Sequence, residues 1–163
     1  MPDRGITQLL QMLDEGYSKA AWHGPNLRGS IRGLTAREAA WRPGRGRHNI
    51  WEIVVHAAYW KYAVRRRLLG EKRGMFAYEG RNWFALPEEA SEAAWTRDVA
   101  LLTAEHKKLR AVVAAFPPSS LNRPSRGHRQ IARWQIEGIA FHDVYHAGQI
   151  QLLKRLMKNG KRR

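Results

Sequence analysis

The stretch QIARWQIEGIAFHDVYHAGQIQLLKRL, Gln130–Leu156, decides the fold. Ile131, Gln135, Ile139, His142, His146, Ile150, Leu153 and Met157 recur at steps of three and four, so on a helix they form one stripe. His142 and His146 sit in the middle of that stripe, one turn apart, roughly 6 Å along the axis at about 1.5 Å per residue. A lone histidine on an apolar face is ordinarily a hydrogen-bonded core residue. Two at this spacing can also offer both imidazoles to a single ion, as in His-Glu-x-x-His, although Asp143 after the first histidine rules out that motif itself. A pair does not hold an ion tightly, so a metal reading requires a third ligand.

The rest of the chain supplies partners for this helix. Ile6–Trp22 reads as a first helix, with Thr7 as cap, Leu9, Leu10, Leu13, Tyr17 and Ala20 as its apolar face, and His23-Gly24-Pro25 as its stop. Thr35-Ala-Arg-Glu38 is a capping box that opens a short helical turn in the first connection, ending near Trp41-Arg42-Pro43. Asn49, with Glu52 three residues on, caps a second long helix from Ile50 to Leu69, with Gly70 as its stop. Its apolar arc is Ile50, Ile53, Ala57, Trp60, Val64 and Leu68, and Arg65–Arg67 mark an exposed end. Residues 72–86 read as an irregular loop. A third helix begins near Pro87-Glu-Glu, carries Trp95, Val99, Leu102, His106, Leu109, Val113 and Phe116 in a stripe, and ends at Pro117-Pro118. Four long amphipathic helices and no alternating strand pattern predict an all-α four-helix bundle, with connections long enough for a crossover.

Length and composition narrow the function classes. The 163 residues suit one domain, 1–163, and the seven tryptophans give it much area to bury. There is no apolar run of membrane-spanning length and no apolar core of a secretion signal near the N-terminus, so a cytoplasmic location is expected. The chain has no cysteine, which excludes disulfides, thiolate ligands and a cysteine nucleophile. A net charge of +15 suggests contact with polyanions. The basic residues are nevertheless scattered over Arg45 and Arg47, Arg65–Arg67, Lys107–Arg110, Arg123–Arg133 and Lys158–Arg163, with no recognition-helix or RNA-binding motif. Salt-sensitive, sequence-independent association is expected, and specific nucleic-acid binding is not.

His56, inward-facing near the middle of the second helix, is the best third ligand. Three neutral imidazoles leave coordination positions open for water or substrate, the plan of a catalytic site and not of a closed structural one. His106 lies on the apolar stripe of the third helix and reads as a core histidine before a fourth ligand. His23 and His48 flank helix ends, where they could reach the mouth of a site or serve only as loop residues. Asp143 could receive the second ring N–H of His146 or pair with a surface arginine. Gln149 could orient a water at the site or bond a neighbouring backbone. Gly138 and Gly148 each cost a helix about 1 kcal/mol against alanine, which suggests close helix approach. Glu52 and Glu137 are the only carboxylates near the ligand stripes. Proton competition for the imidazoles would weaken an ion as pH falls through about 6.

Together, Trp51-Glu-Ile-Val-Val-His56, His142-Asp-Val-Tyr-His146, Ala147-Gly-Gln-Ile150, Ala21-Trp-His-Gly-Pro25 and Gly46-Arg-His-Asn-Ile50 resemble the DinB/YfiT-like superfamily of small metal-binding four-helix bundles. The resemblance covers essentially the whole chain. It implies one divalent ion held by His56, His142 and His146, with zinc or nickel first and iron or manganese next. It also implies a homodimer, and metal-dependent chemistry of the thiol-transferase or hydrolase type on a small molecule, with no catalytic residue assigned. In a chain without cysteine, any low-molecular-weight thiol must arrive as a cosubstrate, and arginines near the pocket could hold its acidic groups. The competing readings are a non-catalytic metal or ligand-binding stress-response protein, and a polyanion-binding protein with a structural metal.

Overall fold

Capping chemistry fixes where most helices start. In the computed structural model, which describes residues 3–72, 74–87, 89–125 and 127–160, α1 runs Arg4–Tyr17 from an Asp3 cap whose carboxylate accepts from the Ile6 N–H. Thr7, the expected cap, lies within the first turn, its hydroxyl donating to the Asp3 carbonyl. The helix stops at Tyr17 and not at Trp22, because Trp22 is fully exposed and a further turn would bury nothing. Two short helices fill the first connection where one turn was expected: α2 (Leu27–Ser30), capped by Asn26, and α3 (Ala36–Ala40), opened by the Thr35–Glu38 capping box. The Asn49–Glu52 box opens α4 (Ile50–Leu69), and Gly70 ends it in the left-handed conformation with φ 65°. α5 (Glu92–Ala114) starts later than Pro87 because Ser91 supplies the cap. Of the Pro87-Glu-Glu start, Glu88 lies outside the described residues, as do Arg126 and residues 161–163 of the basic segments. A 3-10 turn (Pro118–Ser120) precedes α6 (Ala132–Gly160), which outruns the expected end at Leu156.

No strand occurs among the described residues, and the four long helices pack as a bundle. The principal contacts run α1 to α6, α6 to α4, α4 to α5 and α5 to α1. Directions follow from the pairs. Trp51 meets Asp98 and Arg65 meets Glu105, so α4 and α5 run parallel. Asp14 meets Arg110 while Tyr17 meets Thr103, so α1 opposes α5. Gly5 lies by Arg133 and Gly16 by Ala140, so α1 runs with α6. The order is therefore up-down-down-up, and the connections after α1 and after α5 join opposite corners. Because α4 and α5 run parallel, the connection between them returns along the bundle, and it is the crossover for which the chain length left room.

Two apolar clusters fill the bundle. One gathers Trp51, Val54, Trp95, Leu102, Ile150 and neighbours. The other gathers Leu9, Leu13, Val64, Leu109, Val113 and Ile136 with theirs. A polar level separates them: Lys61 of α4, Glu105 and His106 of α5, and Asp143 and His146 of α6, all buried. Lys61 and Asp143 are fully buried and bonded to each other. Asp143 therefore serves neither His146 nor a surface arginine, contrary to expectation, because it points into the bundle towards α4. The close helix approach expected of Gly138 and Gly148 belongs to Gly16. A Cβ on Gly16 would sit 2.8 Å from the Ala140 carbonyl oxygen, whereas Gly138 and Gly148 face open space.

Candidate metal centre

The three predicted histidines meet at the polar level. His56 comes from α4 and His142 and His146 from α6, and their ligand nitrogens all lie within 4.8 Å of one another. The Nε2 of His142 is 3.1 Å from the Nε2 of His56 and 3.1 Å from the Nε2 of His146. No other group of three or more potential ligands of this kind occurs among the described residues.

Partners behind the rings fix their protonation. The Nδ1 of His56 is 2.8 Å from the Asn82 carbonyl oxygen, which can only accept, so Nδ1 carries the hydrogen and Nε2 presents a lone pair. The Nδ1 of His146 is 2.7 Å from Oε1 of Gln149, while Nε2 of the same amide donates to the Tyr145 hydroxyl at 3.0 Å. His146 thus also turns a lone pair inward. His142 brings the third Nε2, and its Nδ1 is buried with no partner among the described residues. One proton at most can serve three convergent nitrogens, whereas a cation serves all of them. The donor set fits a borderline divalent ion.

Burial tunes the same rings. It pushes His142 down to about 3, helped by the fields of His146 and His56, and His146 down to about 4. His56 is also lowered, by burial first and against the Asn82 bond. Each shift favours the neutral form in which an imidazole can accept an ion.

The histidines form part of the wall of a cleft of about 560 Å³ that also takes in Arg47, His48, Trp83, Tyr145, Gln149 and Leu152. His48 thus reaches the mouth. It stacks on Trp83 with centroids 3.6 Å apart, and its Nδ1 lies 3.2 Å from Oε2 of Glu52. Trp83 in turn stacks on His56 at 3.9 Å. A second cleft of about 410 Å³ lies on the other side of His142, lined by Trp60, Arg67, His128 and Trp134.

The remaining candidates are placed elsewhere. His106 stacks on Tyr17 at 3.7 Å as a core residue, held down to about 3 by burial. His23 is exposed and lines neither cleft. Glu52 is engaged by the α4 cap, Arg42 and His48, and Glu137 pairs with Arg133. Sequence reading missed Asn82, Trp83 and Lys61. The first two lie in the irregular loop, where no periodicity marks them. An inward lysine within the apolar pattern of α4 was a visible signal for the third.

No curated protein and no solved structure matches the chain significantly. A family model described as the DinB superfamily matches residues 20–150, which takes in α2 to α5, most of α6 and all three histidines. With more than half its length matched and the helical bundle in place, the chain belongs to the DinB superfamily.

Proposed function

We propose that His56, His142 and His146 hold one divalent ion, zinc or nickel by the chemistry of the donors, and that the protein is a metal-dependent enzyme of the thiol-transferase or hydrolase type acting on a small molecule. The observation that carries this reading is the convergence of three Nε2 atoms, two of which are set as lone-pair donors by Asn82 and Gln149. Such an ion would supply a Lewis acid that lowers the pKa of water or of a thiol at the cleft wall.

The chain's own residues do the rest. Trp83 stacks on His56 and covers one face of its ring. Arg47 at the cleft edge offers a guanidinium to a carboxylate or phosphate of the incoming molecule. The Glu52 carboxylate accepts from Nδ1 of His48, which leaves the other ring nitrogen of His48 able to take or give a proton at the mouth. His48 lies across the Trp83 indole from His56, at the mouth of the same cleft, and an acid–base group there supports the enzyme reading over a passive metal carrier.

The test is calorimetric titration of zinc and of nickel into metal-stripped protein and into His56→Ala, His142→Ala, His146→Ala and His106→Ala. One ion per chain, lost by orders of magnitude in the first three variants and kept in the fourth, is the expected result. Equal binding by wild type and His56→Ala would refute the ligand set. Screening the loaded protein against a panel of low-molecular-weight thiols and activated esters then separates transferase from hydrolase.

A further inference from the structure

Of the three histidines, only His142 borders the cleft of about 410 Å³ between α4 and α6. That volume lies in the range of small-molecule sites. On the α4 side stands Arg67, half-buried, its guanidinium over the Trp60 indole at 5.3 Å from the ring centroid. Trp60 is itself tied through its Nε1–H to the Asn82 side chain, so the platform under Arg67 is fixed. The neighbouring Arg65 and Arg66 both pair with Glu71, and Arg65 with Glu105 as well. No carboxylate among the described residues pairs with Arg67.

The α6 side presents the Trp134 indole, 60% exposed, and one turn further on Gly138. A Cβ on Gly138 would meet nothing within 4 Å, so this glycine does no packing within the chain, although glycine weakens a helix interior. What its missing side chain does is keep this wall of the cleft open. Gln135 and His142 border the same cleft, and each holds a buried polar atom, Oε1 and Nδ1, without a partner among the described residues.

We infer that this cleft binds a small aromatic monocarboxylic acid, with its carboxylate on Arg67 and its ring against Trp134 over Gly138. A guanidinium fork meets a carboxylate through two parallel hydrogen bonds, and an arginine already seated on an indole loses little freedom in doing so. The exposed indole of Trp134 gains by stacking on a ring. Arg67 is the only arginine or lysine among the described lining residues, which matches one negative charge and not two. The net charge of +15 draws anions of every kind to the surface. Apolar walls around one free guanidinium select among them for an acid with an apolar body. The occupant lies on the opposite side of His142 from the histidine cleft, so an acid and an ion can be held on two sides of one imidazole.

The inference does not rest on the metal reading, and metal-stripped protein tests it. Calorimetric titration of naphthylacetate should show one saturable site per chain with a submillimolar Kd. Naphthylacetamide, of the same shape but neutral, should bind at least tenfold more weakly. Arg67→Met should weaken naphthylacetate at least tenfold and leave naphthylacetamide unchanged. Arg66→Met removes the same charge next door and should change neither. Gly138→Leu should fill the cleft and block both compounds with helicity retained. The pattern should be the same in zinc-loaded protein. No saturable binding, equal binding of acid and amide, or equal losses in Arg67→Met and Arg66→Met would overturn the proposal. So would binding seen only with zinc, or binding lost in Arg47→Met and kept in Arg67→Met, which would place the acid in the histidine cleft. If Arg67→Met fails to fold, Gly138→Leu and the acid–amide comparison decide.

Discussion

Oε1 of Gln149 lies 2.7 Å from Nδ1 of His146, three residues earlier on the same helix, and the other end of that amide is tied to the Tyr145 hydroxyl. The amide can only accept at its oxygen, so it holds the imidazole in the tautomer that a ligand needs. Partners behind a ligating histidine typically contribute 10–100-fold to affinity. Gln149→Leu should therefore lower zinc affinity by about that factor with the melting temperature of the stripped protein little changed. Gln149→Glu, which still accepts, should bind at least as well as wild type. Competition titration with a chromophoric chelator measures both. Equal losses in the two variants would show that Gln149 acts by packing.

The matching contact at His56 comes from backbone. Asn82 has φ 73°, the only positive value among described non-glycine residues, and its carbonyl faces His56 while its side chain accepts from Trp60 at 2.9 Å. Asparagine tolerates this conformation and β-branched residues do not. Asn82→Gly should keep most of the metal affinity, because the carbonyl stays in place, and Asn82→Val should lose more than tenfold. If the valine variant binds like wild type, the strained turn does not position His56.

Much of this was legible in the residues. The stripe of α6 and the caps of α3 and α4 are local signals, and a helix stripe must be buried, so the bundle and the meeting of the three histidines followed from spacing and from the resemblance. Asn82 and Trp83 were not legible, because a loop residue is brought to a site by the whole fold and leaves no period behind. Asp143 was misread for a related reason. Its distance in sequence from His146 permits a bond, but only the packing of α4 against α6 reveals that Lys61 lies opposite.

Lys61 and Asp143 are fully buried and paired in the level that carries the histidines. Burial lowers the lysine pKa and raises that of the aspartate, and their mutual attraction opposes both shifts. Removing one partner strands the other, which typically costs about 3–5 kcal/mol, whereas replacing both by apolar residues is often nearly neutral. Lys61→Met should be strongly destabilised in urea melts, and Lys61→Met with Asp143→Leu should recover most of the loss. Additive losses in the double variant would mean that the pair is not coupled.

Acid sensitivity follows from the buried histidines. His106 is held down to about 3 by burial, with Nδ1 lacking a partner among the described residues, whereas an unfolded histidine titrates near 6.5. Between those values the unfolded chain binds a proton that the folded chain refuses, so stability falls as pH drops from about 6.5 towards 3 and is unaffected by this group above 6.5. At full effect one such proton is worth about 1.4 kcal/mol per pH unit. His142 and His146 add to the same slope in the stripped protein. Phenylalanine keeps the stack on Tyr17 and cannot titrate. His106→Phe should therefore match the wild-type slope of stability against pH above 6.5 and decline less steeply between 6.5 and 4.5, by up to that one-proton amount. Urea unfolding of stripped protein across this range measures it. Parallel curves for the two proteins down to pH 4.5 would show that His106 is not held neutral in the core.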